Sequence, residues 1–358
     1  MTIVMPTIGK PTLLLTGASG VLGRALIDEL SPDFTIIALR HRTRLADPRV
    51  REFAGSLNDP TLGLSERDYD RLAGSVDVVL HGAAATSWKA TPESIRATNI
   101  DGTRTMLAFA EQAGAPMYYV STAFVANPPS ADGGRFAGAR AYIESKVEAE
   151  QLTRDSDVAT VILRPSVVIG DTGDGRMAAF QGLHRVAGLI AKGMVPLIAC
   201  DENALMDVVP QDVVAAAAGR LIRAGVTAGE FWLTAGETAP TAGDLVAGAL
   251  RLGRAAGLDP TAPRFIAAEA VDRLLLPLLA EALSPELQGM FAELLEMTWL
   301  FQMPAALPTS MAELGLSAQM TRPRLLDTYD KSMRFWAQAK GLLPVAADDD
   351  LDSEELAS

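Results

Sequence analysis

The first half of the chain alternates short, wholly apolar runs with longer amphipathic ones. TLLLTG (12–17), FTIIALR (34–40), VDVVLHGAA (76–84), PMYYVSTAFV (116–125) and ATVILRPSVVIG (159–170) are apolar almost throughout, without a polar position at every second residue. Such runs suit strands buried on both faces, as in a parallel sheet covered by helices. Between them, VLGRALIDELS and ATNIDGTRTMLAFAEQAG read as helices, the second closed by Gly114, and a further helix carries AYIESKVEAEQL (141–152). Strand and helix in alternation predict an α/β domain with a doubly wound parallel sheet, running to about residue 235.

From residue 236 the texture changes. TAGDLVAGALRLGRAAG, AAEAVDRLLLPLLAEAL, PELQGMFAELLEMTWLFQ and PRLLDTYDKSMRFWAQAKGLL all read as helices, the middle two strongly apolar. No internal repeat or low-complexity linker separates this part. It is expected to pack on the α/β core as a mainly helical cap. The last stretch, AADDDLDSEELAS (346–358), is a like-charge run with little to bury and is expected to be disordered.

Composition narrows the function. The 358 residues are 49% hydrophobic, enough for a large core, and carry a net charge of -13. That charge repels nucleic-acid phosphates and argues against DNA or RNA binding. No apolar run reaches the roughly 20 residues that cross a bilayer; RLLLPLLAEAL (273–283) comes nearest. The N-terminal stretch lacks the basic and apolar regions of a signal peptide. One cysteine, Cys200, permits no internal disulfide and reads as a core filler, so a cytoplasmic setting is expected. Three scattered histidines offer no metal-ligand spacing.

The clearest chemistry follows the first strand. Thr16-Gly17-Ala18-Ser19-Gly20-Val21-Leu22-Gly23 leads from it into a helix. Gly17 suits a tight turn, Gly20 a close approach of pyrophosphate, and Gly23 close helix–strand packing. The helix start adds free N–H groups and a positive dipole end. The setting between apolar strand and helix makes this a Rossmann-type dinucleotide site. The expected organisation is an NAD(P)-binding domain over 1–235, a helical substrate-binding cap over 236–345 and the tail.

An acidic residue at the end of the second strand would hold the ribose of NAD. Here the strand ends Leu39-Arg40-His41-Arg42, with Arg44 close by and no acid beside it. Guanidinium groups there suit a 2′-phosphate, so NADP(H) is the expected cofactor. His41 is a candidate helper.

In AYIESKVEAEQL, Tyr142 and Lys146 stand four residues apart, on one helical face. Glu144, Glu148 and Glu150 are read as the water-facing side. A cation near a phenol favours its ionised form, so the pair could exchange a proton with a carbonyl or an alcohol.

With these landmarks the sequence resembles the extended (atypical) short-chain dehydrogenase/reductases. It is most similar to their thioester-reductase and fatty-acyl-CoA-reductase branch. The resemblance covers about residues 10 to 215 and includes GSLNDPTLGLSERDYDRLAGSVDVVLHGAA (55–84), ATNIDGT (97–103), LRPSVVIG (163–170) and MDVVPQDVVAAA (206–217). It implies that Tyr142 is the acid/base, that Lys146 binds the nicotinamide ribose and lowers the phenol's pKa, and that Thr122, with Ser121 beside it, orients the substrate carbonyl. Asn99 would help relay protons. Arg164, Pro165 and Ser166 would lie near the nicotinamide, and Ala83, Ala84 and Ala85 would line the cofactor turn. Gly17, Ser19, Gly20, Val21 and Gly23 would hold the pyrophosphate. Leu57 is kept, but Ser56 stands where the family has an aspartate. The segment before that element is also short for the branch.

Three functions are compatible with these residues. The first is an NADPH-dependent reductase of an apolar carbonyl or an acyl thioester, the substrate free or on a CoA or carrier-protein arm. The second is a nucleotide-sugar epimerase or dehydratase, for which the cap offers Arg264 and Arg322. The third is a non-enzymatic NAD(P) sensor, which retention of Tyr142 and Lys146 disfavours. Trp88 is placed near the substrate opening. Met290, Phe291, Met297, Trp299, Phe301 and Met303 read as cap core or pocket lining. His81 and His184 read as structural or plainly polar residues. A homo-oligomer is compatible with the sequence.

Overall fold

A computed structural model describes residues 9–87, 90–127, 137–267, 295–296, 302–303 and 305–345. Trp88, most of the apolar cap stripe and the acidic tail lie outside the described residues.

Strands β1 (Thr12–Thr16), β2 (Thr35–Arg40), β3 (Val50–Ala54), β4 (Val78–His81), β5 (Met117–Val120) and β6 (Thr160–Pro165) belong to one sheet. Short β7 (Val167–Ile169), β8 (Leu197–Ile198), β9 (Leu205–Met206) and β10 (Val208–Pro210) follow, then β11 (Gly229–Leu233), β12 (Arg264–Phe265) and β13 (Gln302–Met303). The helices are α1 (Gly23–Leu30), α2 (Glu66–Ala73), α3 (Pro92–Arg96), α4 (Gly102–Ala113), α5 (Ala137–Arg154), α6 (Gly182–Ala191), α7 (Gln211–Arg223), α8 (Ala242–Ala255) and α9 (Arg322–Ala339).

The main sheet has seven strands in the order β11-β6-β5-β4-β1-β2-β3, every pairing parallel. Successive strand residues face opposite sides. Leu13 and Leu15 join a core with Ala25 and Leu26 of α1 and Val213 of α7. Leu14 joins a second core with Leu72 of α2 and Met106 and Phe109 of α4. All three leucines of β1 are fully buried, which is why the strand has no polar alternation. Cutting Leu14 back to alanine would cost about 2–5 kcal/mol.

The chain leaves β1 towards β2 and β3, then returns to place β4 on the other side of β1. The strand order therefore reverses between β1 and β4. Beyond the carboxyl ends of strands at such a point, open α/β sheets form their ligand crevice.

Several elements differ from the sequence expectation. The run 159–170 is two strands, broken at Ser166, and β7 pairs with β10 outside the main sheet. The run 116–125 is a strand only to Val120, where a 3-10 turn over Ala123–Ala126 takes over. The helix expected from Ala97 opens with a π turn, Ala97–Asp101, before α4. Gly114 ends α4 in the left-handed region at φ 62°, as a helix-closing glycine does. Strand β3 escapes sequence reading because it is an edge strand in which Arg51 is exposed and Glu52 half-buried. Glu150 does not face water: it is 2% exposed, bonded to Ser121 and to Arg164 of β6. His184 is also buried, its Nε2 2.8 Å from Ser332 Oγ of α9. Cys200 is buried in the core.

Residue 235 is a boundary in sequence more than in space. Helix α6 packs against α8 and α9, and β8 pairs with β12, so residues 182–198 form one layer with the described C-terminal helices. Asp207 fastens the junction: its carboxylate accepts from the backbone N–H groups of Ala235 (2.8 Å) and Gly236 (2.9 Å).

Candidate functional site

A cleft of about 1000 Å³ opens at the switch point. Its floor is the glycine loop, Thr16–Leu22; its sides are Gly55–Asn58, Gly82–Ala84, Val120–Thr122, Tyr142 with Lys146, and Pro165–Val168.

The glycine loop is shaped by contact. Gly17 adopts φ +78°, and a Cβ there would lie 2.6 Å from the Gly82 carbonyl carbon. At Gly23 a Cβ would overlap the backbone of Ala18, so α1 could not start this close to β1. At Gly20 a Cβ would meet only Gly17 O, at 3.1 Å. That face is left clear for a phosphate. Ser19 and Val21 complete the rim. These are the contours a dinucleotide pyrophosphate requires.

The turn after β4 is held from below. Thr103 Oγ1 donates to Asn99 O (2.7 Å), so it accepts from His81 Nε2 (3.3 Å). His81 Nδ1 then accepts from Thr16 Oγ1 (2.7 Å), which in turn accepts from the Ala83 N–H (3.2 Å). Burial pushes the His81 ring down to about 3, so it stays neutral and serves as a strut. Asn99, in the π turn, clasps the same loop: Oδ1 accepts from Ala85 N–H (2.7 Å) and Nδ2 donates to Ala85 O (3.1 Å) and Ser145 Oγ (2.9 Å). Asn99 is 1% exposed and does not line the cleft. It joins the cofactor-side turn to α5. Asn99 lies in the π turn Ala97–Asp101, and such turns are frequent at functional sites.

Tyr142, half-buried, and Lys146, buried, both reach the cleft from one face of α5. Burial pushes the Tyr142 phenol up to about 12, against the pull of the Thr122 hydroxyl. Burial pushes the Lys146 ammonium down to about 7, against the pull of Glu150. Lys146 Nζ donates to Val120 O (2.8 Å) and lies 4.8 Å from the centre of the Tyr119 ring. Burial sets the direction of the Tyr142 phenol, and it is upward, opposite to the lowering expected from Lys146. Thr122 is 4% exposed and lines the cleft beside Tyr142.

Arg164 is elsewhere than expected. Its guanidinium makes two bonds to Glu150 (2.9 and 2.7 Å) and one to Glu230 (2.6 Å), and lies 4.5 Å from the Trp232 ring centre. It does not line the cleft, whereas Pro165 and Ser166 do. Ser166 sits against Asp207, whose carboxyl is raised to about 6 by burial.

The second-strand arginines are also partly engaged. The parallel register brings Glu52 of β3 beside β2, where it faces Arg40 at 3.7 Å and Arg44 at 3.3 Å. The sequence reading of this end as free of acids is thus corrected: a strand partner supplied one. Arg42 and His41 are exposed, and His41 lines the cleft. Leu57 lines it too, against Gly102, where a Cβ would come within 3.2 Å of the Leu57 side chain.

The sequence did not single out Phe180, Gln181, Arg185 or Glu296, which also line the cleft. Glu296 Oε1 accepts from the Ala139 N–H (2.7 Å), bringing a cap residue to the start of α5. No spacing pattern joins residue 296 to residue 139. Among the described residues no group of three His, Cys, Asp or Glu is placed to hold a metal, and no helix is long and apolar enough to cross a membrane.

Fold and cleft together define a nicotinamide-dinucleotide oxidoreductase of the extended short-chain type, on the thioester-reductase-like branch. Residues 37–218 match the family described as male sterility protein, and the chain belongs to that family. The matched stretch begins after the glycine loop and includes Tyr142 and Lys146. A hybrid PKS-NRPS synthetase of Xenoacremonium sinensis is 30% identical over 259 residues, 63% of this chain and 6% of that protein. A highly reducing polyketide synthase of Penicillium decumbens is 30% identical over 205 residues, 50% of this chain and 7% of that protein. The chain thus spans under a tenth of the length of these curated relatives. Among solved structures, the terminal R domain from the myxalamid PKS-NRPS pathway superposes with a TM-score of 0.70 at 26% identity, covering 95% of this chain and 94% of that one. The reductase domain of a nonribosomal peptide synthetase from Mycobacterium tuberculosis shares the fold, with a TM-score of 0.64 at 22% identity over 95% of this chain and 94% of that one.

Proposed function

We propose that the chain is an NADPH-dependent reductase of acyl thioesters, the acyl group arriving on a CoA or carrier-protein arm. The observation that carries the reading is the convergence of Tyr142, Lys146 and Thr122 on a cleft whose floor is the Gly17–Leu22 loop.

The residues present fit a dinucleotide. Gly17, Ser19, Gly20 and Val21 would hold the pyrophosphate, and Leu57, Ala83 and Ala84 would flank the adenosine half. Pro165 and Ser166 would face the nicotinamide. His41, Arg42 and Arg40 would be the groups to hold a 2′-phosphate. NADPH, when bound, supplies the hydride.

Thr122 orients the substrate oxygen. As the carbonyl carbon gains hydride, its π electrons move to that oxygen, and Tyr142 donates the phenolic proton. A phenol held at about 12 is fully protonated at neutral pH, the state a donor needs. The product of a thioester is a thiohemiacetal; loss of its hydroxyl proton, re-formation of the C=O bond and breaking of the C–S bond release an aldehyde and the arm's sulfur, which takes up a proton to leave as the thiol. Lys146 uses one N–H on Val120 O and keeps two to offer a ribose. Phe124, Val167, Val168 and Phe180 give the acyl end an apolar lining.

A nucleotide-sugar enzyme would need free cations for a diphosphate. Arg322 is instead engaged with Ala239 O (2.7 Å), and neither it nor Arg264 lines the cleft. The test is an absorbance assay of nicotinamide oxidation comparing NADPH with NADH, against acyl-CoA thioesters, aliphatic aldehydes and ketones. Turnover of a thioester with NADPH is expected; its absence with every thioester overturns the reading.

A further inference from the structure

Helix α5 carries four polar residues at intervals of four: Tyr142, Lys146, Glu150 and Arg154. They form one stripe along the helix. The stripe is fastened to the end of β5 at successive residues. Lys146 Nζ donates to Val120 O (2.8 Å), and Glu150 Oε1 accepts from Ser121 Oγ (2.6 Å). The next residue, Thr122, faces Tyr142. Three consecutive residues of the cleft wall are thus each met by a member of the stripe.

Glu150 is the anchor. It is 2% exposed and fully occupied: Arg164 of β6 binds both its oxygens, Arg154 adds a bond of 2.7 Å, and Ser121 adds another. Glu230 of β11 closes the far side by bonding Arg154 and Arg164 at 2.7 and 2.6 Å. Such a cluster fixes the carboxylate in place. The groups around Lys146 are Tyr142 and Glu150 from its own helix, His81 from β4, and the Tyr119 ring and Val120 carbonyl from β5. His81 is neutral, so Glu150 is the charge that opposes desolvation of the lysine.

Resting on the reductase reading above, we propose that Glu150 is a positioning residue of the reaction. One helical turn beyond Lys146, its carboxylate places a negative charge on the lysine's side of the helix and holds Ser121, next to Thr122, on the cleft wall. It touches neither substrate nor cofactor and acts through Lys146 and Ser121.

The test is the pH profile of kcat/KM for NADPH-dependent turnover. Losing the Glu150 charge makes the Lys146 proton easier to lose. In Glu150→Gln the alkaline fall in activity should therefore begin about one pH unit lower than in the wild type. Arg154→Gln, at a half-exposed surface position, leaves Glu150 less neutralised, so the same limb should move to higher pH. The second variant decides the matter if the first does not fold. Opposite shifts support the role. A loss uniform at all pH, or limbs coincident with the wild type, overturns it and leaves Glu150 a fold-stabilising anion. Absence of turnover by the wild-type protein sinks the reductase reading, whereas turnover with unmoved limbs sinks only the role of Glu150.

Discussion

Lys146 Nζ donates to the carbonyl oxygen of Val120 over 2.8 Å, one residue before the strand gives way to Ser121 and Thr122. The bond turns a buried cation towards the cleft and fixes it to the sheet. Its pH behaviour follows. Burial sets the Lys146 pKa at about 7, so the charged form dominates below that value and is lost above it. Because kcat/KM reports the free enzyme, it should fall as pH rises through about 7. Lys146→Arg keeps its charge and should remove that limb, although a guanidinium fits the site less well. A profile flat from acid to alkaline pH in the wild type would contradict the assignment.

Tyr142→Phe keeps the ring and removes the proton donor. Turnover should drop by about 10²-fold or more, with the circular dichroism spectrum and melting temperature unchanged. Near-normal turnover would make the phenol a bystander.

The proposal of NADP(H) rests on Arg40, Arg42 and Arg44, and Glu52 competes for Arg40 and Arg44. One charge-assisted contact contributes about 1.5–3 kcal/mol, so NADPH should bind about tenfold or more tighter than NADH. Arg42→Ala should narrow that gap. Glu52→Gln should widen it by releasing two arginines. Fluorescence titration of both cofactors reads all three, and equal affinities in the wild type would refute the assignment to NADP(H).

Asp207 ties the two halves of the chain by accepting from Ala235 and Gly236. Asp207→Ala leaves these buried N–H groups without an acceptor, at a cost of about 1–3 kcal/mol each. Urea denaturation measures the loss. A midpoint equal to the wild type would show that other groups or water satisfy the junction.

Much of this architecture is legible in the chain. The unbroken apolarity of Leu13, Leu14 and Leu15 announces a strand buried on both sides, and Gly17 and Gly23 announce contacts that only glycine permits. What escapes is whatever depends on neighbours distant in sequence. Glu52 is an acid beside Arg40 only because β3 pairs with β2. Glu150 reads as solvated because its partners, Arg164 and Ser121, come from other strands. Arg164 reads as cofactor-facing until that carboxylate claims it. Helical spacing predicted that Tyr142 and Lys146 share a face, and they do. It could not predict that burial would govern both pKa values.

The central claim, thioester reduction at the Tyr142 cleft, is tested most directly by NADPH oxidation with a series of acyl thioesters of increasing chain length. Each buried CH₂ is worth about 0.8 kcal/mol, so two added carbons should raise kcat/KM up to about tenfold until the apolar end is full. An aldehyde should appear with the released thiol. No oxidation with any thioester, together with tight binding of a nucleoside diphosphate, would contradict the account.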